Sequence, residues 1–395
     1  MPLPADVILF STADWNSKYW TNKQHIASQL AERGHRVLYV ETVGLRKPGL
    51  NRTDAARIVV RLQNGLSAAA TVRKNVWRLS PLTIPFGHRS SLITRLNSRH
   101  LKKRIARWMA ANGVVAPMVW TYHPYVQGVA DFVGASKLIY HCADNLGAIP
   151  GIDVRSFDAA ERKLLASADV IFTTSRTLQE RCSTIAGTRA HYFGNVADVA
   201  HFGGARRVRE LPPELGRIPR PRLGYLGALS DFKLDFNLLE SIAERRPDWQ
   251  LVLIGDEREG QADANLARLA ARDNVHVLGW RPYIQLPNYM AGLDVGLLPQ
   301  LINDYTQAMF PMKFFEYIAA GLPVVSTPLD AIKEFSPLYR VGVDATSFIG
   351  EIEANLESPP DPMPLDHPIL LKNCWATRLD SMLEVIRCAR RHGEP

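Results

Sequence analysis

Apolar residues recur along this chain in short unbroken runs, and these alternate with stretches of helical spacing. Val7-Ile8-Leu9-Phe10 is the first run. Beyond it Thr21 or Asn22 suits a helix N-cap, and Ile26 and Leu30 then share one face. Gly34 closes that helix, and Val37-Leu38-Tyr39-Val40 is the next run. Val76 to Leu79, Met118 to Tyr122, Leu138 to His141 and Val170 to Thr173 continue the series. The second half repeats the rhythm. Leu223 to Leu226 leads to a helix around Leu238 to Arg245. Leu251 to Gly255, Val275 to Leu278 and Val295 to Leu298 follow. Strand–helix–strand alternation predicts an α/β fold with parallel sheets.

A length of 395 residues suggests two or three domains. The Pro/Arg-rich stretch Gly203 to Pro221 reads as a linker. The expected division is a first domain over 1–203, a linker over 204–221, a second domain over 222–374 and a last helix over 375–395. That helix follows another Pro-rich stretch, Ser358 to Pro368.

The segment Met309 to Leu329, MFPMKFFEYIAAGLPVVSTPL, carries the densest chemistry. Pro311 suits the first turn of a helix, Gly321 its C-terminal cap, and Pro323 to Ser326 a buried strand. Lys313 and Glu316 lie three apart on one helix face, and Phe314, Phe315 and Ile318 turn to the other. A cation in a first turn opposes the helix macrodipole unless an anion sits between them. A phosphate fits there, and a carboxylate one turn on can accept hydrogen bonds from two neighbouring sugar hydroxyls. Phosphate plus ribose is a nucleotide, here read as part of a nucleotide-sugar.

This stretch, K-x-x-E-Y-x-A-x-G-x-P-V-V, resembles the donor-site signature of GT-B glycosyltransferases, above all glycosyltransferase family 4 and its relatives. The resemblance implies that Glu316 holds the ribose and Lys313 faces the diphosphate. It also implies two Rossmann-like domains whose parallel sheets face a central cleft. Many family members carry a second Glu in an E-x7-E pattern; here that place is Ala308. The pair Met312-Lys313 is similar to the branch containing xanthan glucuronosyltransferase and teichuronic acid glycosyltransferases. G-H-R-V, Y-H-C-A-D-N, G-Y-L-G-A-L, P-D-W-Q-L-V-L-I-G and N-V-H-V-L-G-W occur in the family's order. C-W-A-T-R-L resembles the final helix that in GT-B enzymes returns to the first domain.

Further candidates follow strand ends. Gly224-x-x-Gly227 opens towards Lys233, so a backbone there can approach a diphosphate closely, although a packing glycine fits as well. Gly255 ends another strand, and Gly279-Trp280-Arg281-Pro282-Tyr283 a third; the resemblance places the base near this loop, where Trp280 or Tyr283 could flank it, although a core aromatic fits nearly as well. The expected donor residues are thus Gly227, Lys233, Gly255, Arg281, Tyr283, Met312, Lys313 and Glu316. In the first half Asp144 ends a strand and is the leading general base on an acceptor hydroxyl, with His123 second, although a loop or helix-cap aspartate and a turn histidine before Pro124 fit these positions as well. Asp14 and Trp15 are expected to line the acceptor site. The chain has no D-x-D pair, so no metal site is expected and the leaving charge falls to Lys313 and a helix terminus. No cofactor is expected, the nucleotide-sugar being a substrate.

Charge is uneven. Residues 1–200 hold 26 Lys+Arg against 13 Asp+Glu, and the rest 21 against 26, so the first half is the one suited to a polyanion. Ser90 to Asn112 spaces Ile93, Leu96, Leu101, Ile105, Trp108 and Met109 helically among basic residues. It reads either as a basic amphipathic helix on an anionic membrane or as an ordinary domain helix with a solvated basic face. Basic residues interleaved with aliphatic ones, without stacking aromatics, argue against nucleic acid. Four cysteines without C-x-x-C spacing suggest reduced thiols, and no signal peptide or membrane-spanning run is evident. The expected location is the cytoplasm, with peripheral contact at the inner face of the plasma membrane. The partners are a nucleotide-sugar, UDP-linked in the leading reading, and a polysaccharide or lipid-linked saccharide. An epimerase of the same fold and a non-catalytic sugar-nucleotide binder are the alternatives.

Overall fold

A computed structural model describes residues 5–41, 68–81, 91–257 and 264–391. Contacts divide the chain into two units, one of residues up to Phe193 together with Leu379 onward, the other Gly194–Arg378.

The first unit holds an eight-stranded sheet: β1 Val7–Phe10, β2 Val37–Val40, β3 Ala70–Arg73, β4 Val76–Leu79, β5 Met118–Thr121, β6 Lys137–Cys142, β7 Val170–Thr173 and β8 Ala190–Tyr192. Their order in space is β3-β4-β2-β1-β5-β6-β7-β8. All ladders are parallel except β3–β4. β1, β2, β5 and β7 are buried along their whole length, as continuous apolar runs in a covered sheet must be. Helix α1, Asn22–Glu32, follows β1. Its N-cap is closed by Gln24, whose Oε1 accepts from the Thr21 N–H at 3.1 Å.

Helix α2, Ser91–Asn112, resolves the two readings of the basic segment in part. Ile105 and Trp108 are buried in the core of the first unit. Arg104 is buried too and donates to the Ser80 carbonyl at 2.5 Å. Ile105 and Trp108 of the apolar stripe are therefore taken up by the domain itself, beside Val119, Val126 and Val129, whereas Leu96 stays exposed.

The second unit holds β9 Arg222–Leu226, β10 Gln250–Ile254, β11 Val275–Val277, β12 Val295–Leu298, β13 Val324–Ser326 and β14 Arg340–Val341. Their order is β11-β10-β9-β12-β13-β14, and every ladder is parallel. Helix α3, Lys313–Ala320, links β12 to β13. It ends at Gly321, whose φ of +86° is the left-handed cap that glycine adopts without strain. The helix starts two residues after Pro311, with Met312 as its N-cap.

The stretch expected to be a linker, 204–221, lies in the second unit instead. Gly204–Arg207 and Pro213–Gly216 form helical turns. Ala205, Leu215 and Ile218 are buried in the same core as Phe314 and Tyr317. The arginines that made the segment look solvated turn inward. Arg206 donates to the carbonyls of Ala319 (2.9 Å) and Ile318 (3.0 Å), satisfying the C-terminal end of α3. Residues 194–203, read with the first domain, also belong to the second unit. The final helix α4, Trp375–Cys388, begins in the second unit and contributes Leu379 onward to the first. There Asp380 accepts from Arg33 Nε at 2.7 Å, and the Ala389 carbonyl from Lys137 Nζ at 2.8 Å. Among the described residues no helix is long and apolar enough to cross a membrane.

Candidate functional site

In the second unit the chain order reverses between β9 and β12, and open α/β sheets form a crevice at the carboxyl ends of such a pair. β9 runs out at Leu226 and turns at Gly227, whose φ is +149°. A β-carbon there would sit 3.0 Å from Tyr225 Oη and 3.3 Å from Lys313 Cε. The parallel crossover from β12 through α3 to β13 puts the first turn of α3 at the same sheet edge. Gly227 and Lys313 are thereby brought together. Gly224 is not part of the crevice: its missing side chain makes room for Leu293.

Lys313 keeps 26% of its side chain exposed, whereas Glu316 keeps 4%. The two face each other with Nζ and Oε2 3.8 Å apart, an ion pair too long for a hydrogen bond. Glu316 Oε2 is fully buried and meets no hydrogen-bond donor. Burial pushes this carboxyl above its usual range, and the charges of Lys313 and His201 only partly counter it.

His201 and Asp198 were not singled out from the sequence. Asp198 caps the short helix Val199–Gly203, its Oδ1 accepting from the His201 N–H at 3.1 Å. His201 Nε2 lies 2.9 Å from the Tyr283 carbonyl, so the proton sits on that nitrogen. The His201 and Tyr283 rings stack at 4.5 Å between centroids and 12° between planes. Burial, with the charges of Glu316 and Asp198, holds the Tyr283 phenol well above its usual range. Tyr283 thus joins Lys313 and Glu316 in one pocket. A helix-capping Asp followed by a His three residues on, just ahead of a new strand series, was the only available signal.

The other donor candidates are spread along the same sheet edge. Gly255 is buried at the end of β10, and Met312 caps α3. Lys233 lies over the Tyr305 ring, 4.8 Å from its centroid. Arg281 is engaged elsewhere: it pairs with Glu214 at 3.0 Å and donates to Tyr289 Oη.

In the first unit the reversal falls between β1 and β5. The loop after β1 is held by Glu41, whose Oε1 accepts from the Trp15 N–H at 2.9 Å. Gln24 Nε2 donates to the Asp14 carbonyl at 3.1 Å. The Trp15 ring is buried against Tyr39 and Trp20, at 5.1 and 5.6 Å between centroids. His123, after β5, is 2% exposed and packs edge-on against Phe10. Its Nδ1 accepts from the Tyr125 N–H at 3.3 Å, which leaves the proton on Nε2, a buried nitrogen with no partner. Burial lowers the ring to about 4. His123 is therefore a neutral donor at Nε2, which is the wrong tautomer for a base at that atom. Asp144, after β6, is half-buried and pairs with the nearly buried Lys23 at 3.3 Å. Lys23 Nζ also lies 5.4 Å from the centre of the Tyr122 ring. Nothing in the sequence marked Lys23.

Residues 220–352 match the family model described as glycosyl transferases group 1. The chain is 28% identical over 234 residues to the putative teichuronic acid biosynthesis glycosyltransferase TuaH of Bacillus subtilis (strain 168). That match covers 56% of this chain and 58% of the relative, so the chain spans little more than half of the curated relative's length. Among solved structures, sucrose-phosphate synthase from Thermosynechococcus elongatus superposes with a TM-score of 0.70 at 16% identity, covering 97% of this chain and 98% of the other. Anabaena Alr3699/HepE in complex with UDP and glucose gives 0.64 at 15% identity, covering 97% and 100%. WaaG, a glycosyltransferase involved in lipopolysaccharide biosynthesis, gives 0.60 at 14% identity, covering 96% and 99%.

Proposed function

We propose that this chain, a GT-B fold carrying a group 1 glycosyltransferase domain, transfers a sugar from a nucleoside diphosphate donor to a saccharide acceptor. The observation that carries the reading is Glu316 Oε2. A buried carboxylate oxygen without a donor is costly unless a ligand completes it. Two adjacent ribose hydroxyls would supply that donor. Lys313 and the N-terminus of α3 would then face the diphosphate, close to the Gly227 backbone. The structural neighbour solved with UDP and glucose supports uracil as the base. The relative named for teichuronic acid biosynthesis supports a polysaccharide or lipid-linked saccharide as acceptor.

In the reaction the acceptor hydroxyl oxygen bonds to the anomeric carbon as that carbon's bond to the diphosphate oxygen breaks. The nucleoside diphosphate leaves with the electron pair, and Lys313 and the helix terminus take up its charge. Asp144 receives the hydroxyl proton, Lys23 holding its carboxylate in place. The Lys313 cation and the absence of a D-x-D pair support turnover without a divalent metal. The test is calorimetric titration with UDP and GDP in excess EDTA. UDP binding that is lost in both Lys313→Ala and Glu316→Ala supports the reading. Equal binding in all three proteins refutes it.

The membrane contact belongs to the same proposal. With Ile105 and Trp108 turned inward, α2 leaves Arg95, Arg99, Lys103 and Arg107 exposed. Leu96 is 52% exposed, and Phe132, 49% exposed, lies beside Lys102 with its ring centre 5.5 Å from Nζ. Such a surface suits electrostatic attachment to anionic headgroups more than deep insertion.

A further inference from the structure

Side chains alternate along β12. A β-carbon on Gly296 would meet the Tyr317 ring at 2.7 Å, and Leu298 shares a core with Phe310, Phe314 and Tyr317. Val295 and Leu297 pack in the core on the other face. Gln300 lies two residues beyond Leu298, where β12 has ended. Its backbone is pinned on two sides. The Gln300 carbonyl accepts from Thr327 Oγ1 at 2.9 Å, and Gln300 bridges to Leu234 in the loop after Gly227. Leu301, next in the chain, donates to the Lys233 carbonyl at 2.9 Å. Gln300 therefore lies just past the carboxyl end of β12, the second strand of the reversing pair, against the loop that follows Gly227.

Gln300 is 4% exposed, and its Oε1 is fully buried with no hydrogen-bond donor. An apolar side chain would fill the space without that cost. The orphan atom is an acceptor, so its partner must carry a proton. A diphosphate at neutral pH offers only acceptors, which leaves a hydroxyl or an N–H. The order along the sheet edge separates these two. Tyr283 follows β11, Gly255 follows β10, Gly227 follows β9 and Gln300 follows β12. With the nucleoside at Tyr283 and Glu316 and the diphosphate at Gly227 and Lys313, the group beyond the diphosphate is the transferred sugar.

We propose that Gln300 Oε1 accepts a hydrogen bond from a hydroxyl of the donor's sugar and so selects which sugar is transferred. This rests on the donor-site reading above. The test compares wild type, Gln300→Leu and Gln300→Glu by calorimetry with UDP alone. It then uses whichever of UDP-glucose, UDP-N-acetylglucosamine and UDP-glucuronate wild type binds tightest. Gln300→Leu should leave UDP affinity within about twofold and weaken the UDP-sugar about tenfold, the scale of one lost hydrogen bond. Gln300→Glu keeps an acceptor oxygen and should bind the UDP-sugar within about threefold of wild type. Equal losses for UDP and UDP-sugar in Gln300→Leu would assign Gln300 to the nucleoside or to folding and overturn the proposal. Unchanged binding of both would overturn it as well. If wild type binds no UDP, the donor site itself is wrong and this inference falls with it.

Discussion

The stem of Lys313 passes Gly227 so closely that a β-carbon on the glycine would lie 3.3 Å from Lys313 Cε. At φ +149° an L side chain is also strained. Gly227→Ala should therefore displace the lysine and weaken UDP binding by about tenfold, with stability lowered by about 1–2 kcal/mol. Calorimetry and a melting curve check the two effects together. A variant that melts lower but binds UDP as well as wild type would detach the glycine from the site.

Glu316 gives a stability signature with a definite sign. Its folded pKa is raised, chiefly by burial, so the folded chain binds this proton more tightly than the unfolded one. The advantage is complete below the ordinary carboxylate range near 4.3 and disappears as pH climbs through the raised folded value. Glu316→Gln should then match wild type in melting temperature near pH 4 and exceed it near pH 8, while binding UDP more weakly. Melting curves at both pH values test this.

His123 works in the opposite direction. Burial lowers it to about 4, against an ordinary value near 6.5. Stability is intact above 6.5 and is lost as pH falls towards 4, by about 3 kcal/mol at most. His123→Gln should flatten that stretch of the stability curve, as followed by urea melts between pH 4 and 7.

Asp144→Asn should cut turnover by about 10²–10⁴ and leave UDP affinity unchanged, the pattern of a lost general base. Lys23→Met should reduce turnover less, because it removes only the 3.3 Å partner. Product anomer analysis completes the test. Normal turnover in Asp144→Asn with retention of anomeric configuration would point to the donor phosphate as the base.

Anionic liposomes should carry the protein upward in flotation at low salt, and neutral ones should not. Reversing Arg95, Arg99, Lys103 and Arg107 to Glu should abolish the effect. Equal behaviour on both lipids would make α2 plain domain surface.

The fold was legible because buried parallel strands are written as unbroken apolar runs. β3 escaped notice because Ala70 to Arg73 hold a single large apolar residue, Val72, and are mostly exposed, and β14 is two exposed residues. Lys313 and Glu316 were legible because a first-turn cation and a carboxylate one turn later form a local pattern. Asp198 and His201 reach the same pocket from a distant stretch, and no local spacing records such a meeting. Arg281 stood in a suggestive loop, yet its partner Glu214 came from a segment read as linker. Gln300 gave no signal, since a lone amide after a proline becomes informative only once its burial is known.

The last helix changes how a genetic lesion would be interpreted. The second unit is, in topological terms, an insertion within the first, because Leu379 onward returns to the unit that begins the chain. A premature stop codon just after Arg378 would leave every residue of the second unit translated. It would nevertheless remove the partners of Arg33 and Lys137 in the first unit. Such an allele should yield a product whose first unit is damaged, although the stop lies beside the second unit in the reading frame.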